Sequence, residues 1–190
     1  MIGMMNKKER AEALSDFIKD NIELIRNKKF NELYTKYEWV ESQVESAFDM
    51  RNQLTLLFQD IGIEVLNYVT DIPRYYNPHS EGISKLVLPK QILTIGEVAF
   101  SYGDFKEVVF NEGLKDIERE AFYSCEEITS ISLPSTIRNI DVAAFDYCEL
   151  LNHIAYNSTM EDFKFISTND WHVVVPAKFV YCTDGVLEIK

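Results

Sequence analysis

The chain has 190 residues, with 19 Lys/Arg against 31 Asp/Glu, a formal net charge of -12. That balance repels a phosphate backbone and argues against direct DNA or RNA binding. A hydrophobic content of 46% is enough for a continuous core, while no apolar run approaches the ~18 residues of a membrane-spanning helix. The opening MIGMMNKKERAEALSD turns charged before an apolar signal stretch develops, so a cytoplasmic location is expected. The charge is uneven: residues 1–60 hold 9 Lys/Arg against 11 Asp/Glu, and residues 61–190 hold 10 against 20.

From Lys7 to Arg26, Ala11, Leu14, Phe17, Ile18, Ile22 and Ile25 recur mostly at steps of three and four, one face of an amphipathic helix. A second helical run carries Phe30, Leu33, Tyr34 and Tyr37, and a third is expected over about 39–60, ended by Gly62. Residues 1–60 thus read as a helical N-terminal region. Residues 61–82 read as a junction, a short helix at about 63–69 and then irregular chain broken by Pro73 and Pro78. Tyr75 and Tyr76 beside Arg74 suit either packing or a binding surface.

From residue 83 one motif is written three times and then in part, with a period of 22 to 23 residues: ISKLVLPKQILTIGEVAFSYGD, FKEVVFNEGLKDIEREAFYSCEE and ITSISLPSTIRNIDVAAFDYCEL. Apolar columns run through Leu86/Val108/Ile131/Ile154, Leu88/Phe110/Leu133/Tyr156 and Ile95/Ile117/Ile140, and through the pairs Ala99-Phe100, Ala121-Phe122 and Ala144-Phe145. Such a period specifies a solenoid in which each coil buries its apolar face on the next. The first coil of a solenoid exposes an apolar edge, and the helical region over 1–60 is expected to cap it.

The pattern of an apolar strand ending in Leu-Pro (Leu88-Pro89, Leu133-Pro134), then Ile-Gly (Ile95-Gly96), then Ala-Phe with Cys three residues later (Cys125, Cys148) resembles the BspA-like leucine-rich repeat, over roughly 83–156. Copy two departs from it with Asn111 in place of Pro, and copy one with Gly103 in place of Cys. The resemblance implies a short solenoid whose relatives mostly serve as adhesion or protein-binding surfaces. Short versions with a helical front end and a Tyr-rich segment like IPRYYN also resemble proteins carried by bacteriophages. Cys125 and Cys148 share one column and read as buried apolar fillers rather than a disulfide framework.

Residues 157–190 read as a C-terminal cap. A short helix is expected at 160–166 with Asn157 or Ser158 as its N-cap, and Trp171 as a buried anchor. Val173–Val175 and Ala177–Cys182 read as strands, and Thr183-Asp184-Gly185 turns the chain into a last strand over Val186–Ile189. The fold class is therefore α+β: an N-terminal α-helical region, then a short β-rich leucine-rich-repeat solenoid closed by a β-hairpin cap.

Alternation in the first strand of each copy points Leu86 and Leu88 inward. It leaves Lys85, Val87, Glu107, Val109, Ser130, Ser132, His153 and Ala155 on one outer sheet face as the candidate partner-binding surface. Copy two also carries the candidate acidic patch Glu107, Glu112, Asp116, Glu118, Glu120, Glu126 and Glu127. His79, His153 and His172 are scattered without metal-ligand spacing, and there is no Gly-rich phosphate loop or nucleophile elbow, so no catalytic residue, metal or cofactor is assigned. The expected function is non-enzymatic binding of a protein partner through the strand face, with the helices as a second contact. The alternatives are an acidic inhibitor, a phage-encoded one included, that blocks a basic nucleic-acid-binding surface of a host enzyme or defence complex, and a structural component. Homo-oligomer formation stays open.

Overall fold

The computed structural model describes residues 70–72, 74–77, 83–168, 170–172 and 174–189, together with Asp16, Asp20, Leu66 and Asn67. The chain divides into two compact units, Met1–Val69 and Thr70–Lys190. In the first, Asp16 and Asp20 have helical backbone and Leu66 and Asn67 a 3-10 turn; the three helices expected before residue 60 and the rest of the short one at 63–69 lie outside the described residues.

The second unit is a β-solenoid of about four turns built on two sheets. The first sheet holds β2 (Lys85–Val87), β4 (Glu107–Val109), β6 (Ser130–Leu133), β8 (His153–Tyr156), β10 (Phe179–Cys182) and β11 (Gly185–Glu188), in the order β11-β10-β8-β6-β4-β2. The second holds β1 (Asp71–Ile72), β3 (Thr94–Ile95), β5 (Asp116–Ile117), β7 (Asn139–Ile140) and β9 (Ser167–Thr168), in chain order. Neighbouring coils pair in parallel and in register, Leu86 on Val108 on Ile131 on Ile154 and Ile95 on Ile117 on Ile140. The apolar columns read from the sequence are thus the stacked core, with Leu86, Val108, Ile131, Ile154, Ile95, Ile117 and Ile140 all buried.

Two corners turn each coil. At the first, Leu-Pro ends the strand because proline has no N–H to give the ladder, and Ile92 and Ile137 donate back to the carbonyls of Pro89 and Pro134 at 3.1 and 3.2 Å. Asn111 makes the same turn in copy two, Leu114 N–H to its carbonyl at 3.3 Å. Its side-chain Nδ2 then donates to Ile92 O at 2.8 Å and Lys90 O at 3.2 Å, tying two coils together. At the second corner the Ala-Phe pair turns inward, and Phe100, Phe122 and Phe145 stack at 5.3 Å per step. Tyr76 meets one end of the stack edge-on at 5.7 Å, and Trp171 the other at 5.9 Å. Each buried ring contributes about 1.5–3 kcal/mol of transfer free energy. Cys125 and Cys148 are free and buried beside the stack, their thiols donating to Phe100 O at 3.1 Å and Phe122 O at 3.3 Å. Burial pushes the Cys148 thiol up to about 12 and Cys125 in the same direction, so both are protonated fillers.

This second corner runs through left-handed backbone at residues other than glycine: Tyr75, Val98, Glu120 and Ala143 in one column, Tyr102, Ser124 and Tyr147 in another. Each such residue costs on the order of 1 kcal/mol or more. The conformation aims the N–H at the next coil: Val98 donates to Arg119 O, Glu120 to Val142 O, Tyr102 to Tyr123 O and Ser124 to Asp146 O, at 2.8–3.1 Å. The coil-to-coil ladder therefore continues through the corners.

Four expectations are corrected. Within the part of the junction expected to be irregular, Asp71–Ile72 is a strand that pairs with Thr94–Ile95, because Ile72 fills the Ile95 column and Tyr76 is buried; residues 73 and 78–82 lie outside the described residues. The helix at the far end is the shorter α1 (Met160–Phe163), and its N-cap is Thr159, not Asn157 or Ser158. Thr159 Oγ1 accepts from Asp162 N at 3.1 Å and Asp162 returns the contact in a capping box. Val174 and Val175 are not strand; Val175 N–H closes a turn onto His172 O at 3.3 Å, and Pro176 comes next. Finally, Gly185 is paired with Cys182 rather than lying in the turn, so the hairpin loop is Thr183-Asp184. The hairpin itself closes the sheet as expected, but only β11 is antiparallel; β10 is parallel to β8.

Candidate interaction faces

Alternation along each strand of the first sheet turns every second side chain outward, and the in-register pairing stacks these into columns. Lys85, Glu107, Ser130 and His153 form one outward column, and Val87, Val109, Ser132 and Ala155 the other. The structure thus brings together all eight residues singled out in the sequence. Lys85 Nζ meets Glu107 Oε1 at 2.7 Å, both about half exposed, an ion pair worth about 0–1 kcal/mol. Val87 is 55% exposed and Val109 36%.

The face does not stop at Ala155. Tyr181 pairs with Ala155, and Val186 with Tyr181, extending the second column across the hairpin. The His153 ring stacks on Tyr181 at 4.6 Å and 24°. Phe179, Tyr181 and Val186 are exposed. Sequence reasoning misses these three because the repeat loses its period after Tyr156, and the tail then reads as a cap; the legible signal is the alternation in FVYC, in which Val180 is the inward residue.

The second sheet presents a polar face. Asp71, Thr94, Asp116, Asn139 and Ser167 share one column, and Thr94, Glu97, Asp116, Glu118, Arg119, Asn139 and Asp141 line a shallow depression. Glu118 Oε2 accepts the Glu97 N–H at 3.0 Å, while Glu97 forms an ion pair with Arg74. Arg74 in turn lies 4.9 Å from the centre of the Tyr75 ring. The seven acidic residues of copy two are spread around one coil rather than gathered. Glu107 lies on the first sheet, and Glu112 accepts from Ser135 Oγ at 3.0 Å at the first corner. Asp116 lies on the second sheet and Glu118 follows its strand, Glu120 lies on the second corner, and Glu126 and Glu127 on the exposed return.

Burial raises the Asp116 carboxyl above its ordinary value, with Lys115 opposing and Asp71 adding; burial also raises Glu118, opposed by the Glu97 N–H it accepts and by Arg74, with the Glu97 and Asp116 charges adding. A carboxyl raised in the folded state binds more protons folded than unfolded, so stability falls as pH rises through that window. Asp116→Asn and Glu118→Gln are therefore expected to raise stability against urea at pH 7, each by less than about 1 kcal/mol, and to do so less as the pH approaches the ordinary carboxylate range. A urea midpoint that falls at pH 7 in both variants would show that the carboxylates stabilise this face.

A family model described as the BspA type leucine rich repeat region, in six copies, matches residues 70–182. The chain belongs to this family. The match begins at the residue before β1 and ends with β10, the extent of the parallel coils. Among solved structures, the chain is similar to a leucine rich cell surface protein from Faecalibacterium prausnitzii A2-165. The two share 24% identity over 54% of this chain, with a TM-score of 0.38. The aligned part spans 34% of that protein's length. No curated protein matches. Among the described residues, no helix is long and apolar enough to cross a membrane.

Proposed function

We propose that this leucine-rich-repeat chain is a non-enzymatic binding module that holds a protein partner on the outer face of its first sheet. The observation that carries the reading is the column Val87, Val109, Ser132, Ala155, Tyr181 and Val186, in register on six strands. Its valines and tyrosine are exposed. Apolar and aromatic groups flanked by polar ones, here Lys85, Glu107, Ser130 and His153, suit a protein interface with a dry centre and a wet rim. A second reading is an acidic protein that occupies a basic nucleic-acid-binding surface of its partner. It draws on the carboxylates of Asp71, Glu97, Asp116, Glu118 and Asp141 at the second sheet.

Capture from lysate of the native host, with the wild-type chain and two variants, separates them. Val109→Arg places a charge at the middle of the apolar column and is expected to abolish retention of a partner that resists high salt. Asp116→Lys with Glu118→Lys should leave that partner bound. If retention instead collapses in the lysine variant and in high salt alike, the acidic reading replaces the first. A partner held equally by all three proteins would exclude both faces.

A further inference from the structure

Three tyrosines on the second corner form a separate ladder. Tyr102 meets Tyr123 at 5.8 Å and 70°, and Tyr123 meets Tyr147 at 5.1 Å and 58°. Tyr102 is 67% exposed and Tyr147 42%, so neither ring owes its place to the core. Both sit in left-handed backbone, with φ of 60° and 59°, where asparagine or glycine is accommodated at lower cost. Folding alone gives no reason for a large aromatic side chain at two strained, exposed positions. A residue that costs stability at a surface points to a use outside the fold.

The surroundings define the chemistry. Glu120 and Asp146 lie on the same corner, and the chain on either side carries Asp104, Glu126, Glu127 and Glu149, all exposed. Partial desolvation first, then the Tyr147 and Tyr102 hydroxyls and the Glu120 and Asp146 carboxylates, hold the Tyr123 phenol above its ordinary range. Arg119 already pairs with Glu120 at 2.8 Å, so that carboxylate is shared. Among the described residues, Asp146 Oδ1 is buried without a hydrogen-bond partner, so Asp146 acts on the ladder through its charge. His172 is within electrostatic reach of Asp146, but burial holds it below the usual histidine value, and it supplies no compensating charge at neutral pH. Electron-rich ring faces beside carboxylates favour a cation over an anion or a neutral group.

We propose that the Tyr102–Tyr123–Tyr147 ladder, with Glu120 and Asp146, is a docking site for an arginine-containing, extended basic segment of a protein partner. Successive guanidinium groups lie over the rings, where Glu120 shares its carboxylate with them and the Asp146 charge adds to the field. Arginine is preferred to lysine because its planar group stacks on an aromatic face while still donating hydrogen bonds sideways. This site is independent of the first-sheet face, and Val109→Arg should leave it intact.

The test measures fluorescence anisotropy of a labelled Arg-Gly repeat decapeptide on the full chain at physiological salt, with Lys-Gly and Glu-Gly repeats as comparators. The Arg-Gly peptide is expected to bind, Lys-Gly more weakly and Glu-Gly not at all. Tyr102→Asn with Tyr147→Asn should weaken Arg-Gly binding about five-fold or more while leaving the thermal midpoint unchanged or higher, since asparagine suits the left-handed backbone. Loss of stability without loss of binding would make the tyrosines structural and overturn the proposal. So would absence of Arg-Gly binding. Equal weakening by Glu112→Gln, on the other corner, with no effect of the asparagine pair would reduce the binding to diffuse charge. Tyrosine-dependent binding of a neutral glucose oligomer such as cellohexaose, with none of the peptide, would reassign the ladder to carbohydrate.

Discussion

Phe122→Ala is expected to destabilise the repeat unit by about 3–5 kcal/mol. The ring is fully buried, stacked on Phe100 and Phe145 at 5.3 Å on either side and met edge-on by Phe110 at 5.7 Å. Its neighbours cannot close the void, because the parallel strands hold adjacent coils at about 4.8 Å and each ring already lies near that spacing. In a solenoid, stability is carried by interfaces between neighbouring coils, and Phe122 belongs to two of them. Urea unfolding followed by circular dichroism should show the midpoint falling by about 2 M, given slopes of 1–3 kcal/mol/M for small proteins. A loss below about 1 kcal/mol would mean that the strand ladders, not the ring stack, hold the coils together.

The columns around Phe122 are legible in the sequence because they obey two periods at once. Alternation by two sets Leu86 and Leu88 inward and Lys85 and Val87 outward, and the 22- to 23-residue step repeats that choice in every coil. The same double period puts the eight outward residues of the first sheet on one face. Where one period fails, the reading fails with it. The coil at 70–77 carries Tyr76 where later coils carry a small alanine, and residues 73 and 78 are prolines; single residues such as Ile72 do not announce a repeat. Ser167–Thr168 extends the second sheet with two exposed polar residues, so no apolar signal marks it. Phe179 and Tyr181 reach the first face through a strand that the sequence presents as part of a hairpin. The tyrosine ladder is hidden for a different reason. Tyr123 is offset by one position from Tyr102 and Tyr147, and the three come together only because Tyr102 N–H bonds to Tyr123 O across coils.

Copy one departs from its neighbours at Gly103, and there the expected effect runs against the repeat pattern. Gly103→Cys restores the residue found in the other two copies, yet it is expected to destabilise by about 1–3 kcal/mol, the usual cost of overpacking. Copy one is one residue shorter than the others: Gly103-Asp104-Phe105 stands where Cys125-Glu126-Glu127-Ile128 stands in copy two. The shorter return brings the Phe105 ring, itself buried and edge-on to Phe100 at 5.8 Å, into the space that a thiol fills elsewhere. A Cβ at position 103 would lie 2.2 Å from Phe105 Cε2 and 2.6 Å from Cδ2. The ring cannot swing away without breaking its contact with Phe100. Glycine and phenylalanine are thus one joint solution to a shortened loop, and their substitutions should couple. Phe105→Ile alone removes ring contacts and costs stability. Combined with Gly103→Cys it should cost less than the sum of the two single changes by about 1 kcal/mol or more, as expected for residues in contact. The measurement is a double-mutant cycle from urea midpoints at constant slope. Additive losses would show that backbone movement, rather than the Phe105 ring, absorbs the extra atom, and that the glycine answers only to the length of the loop.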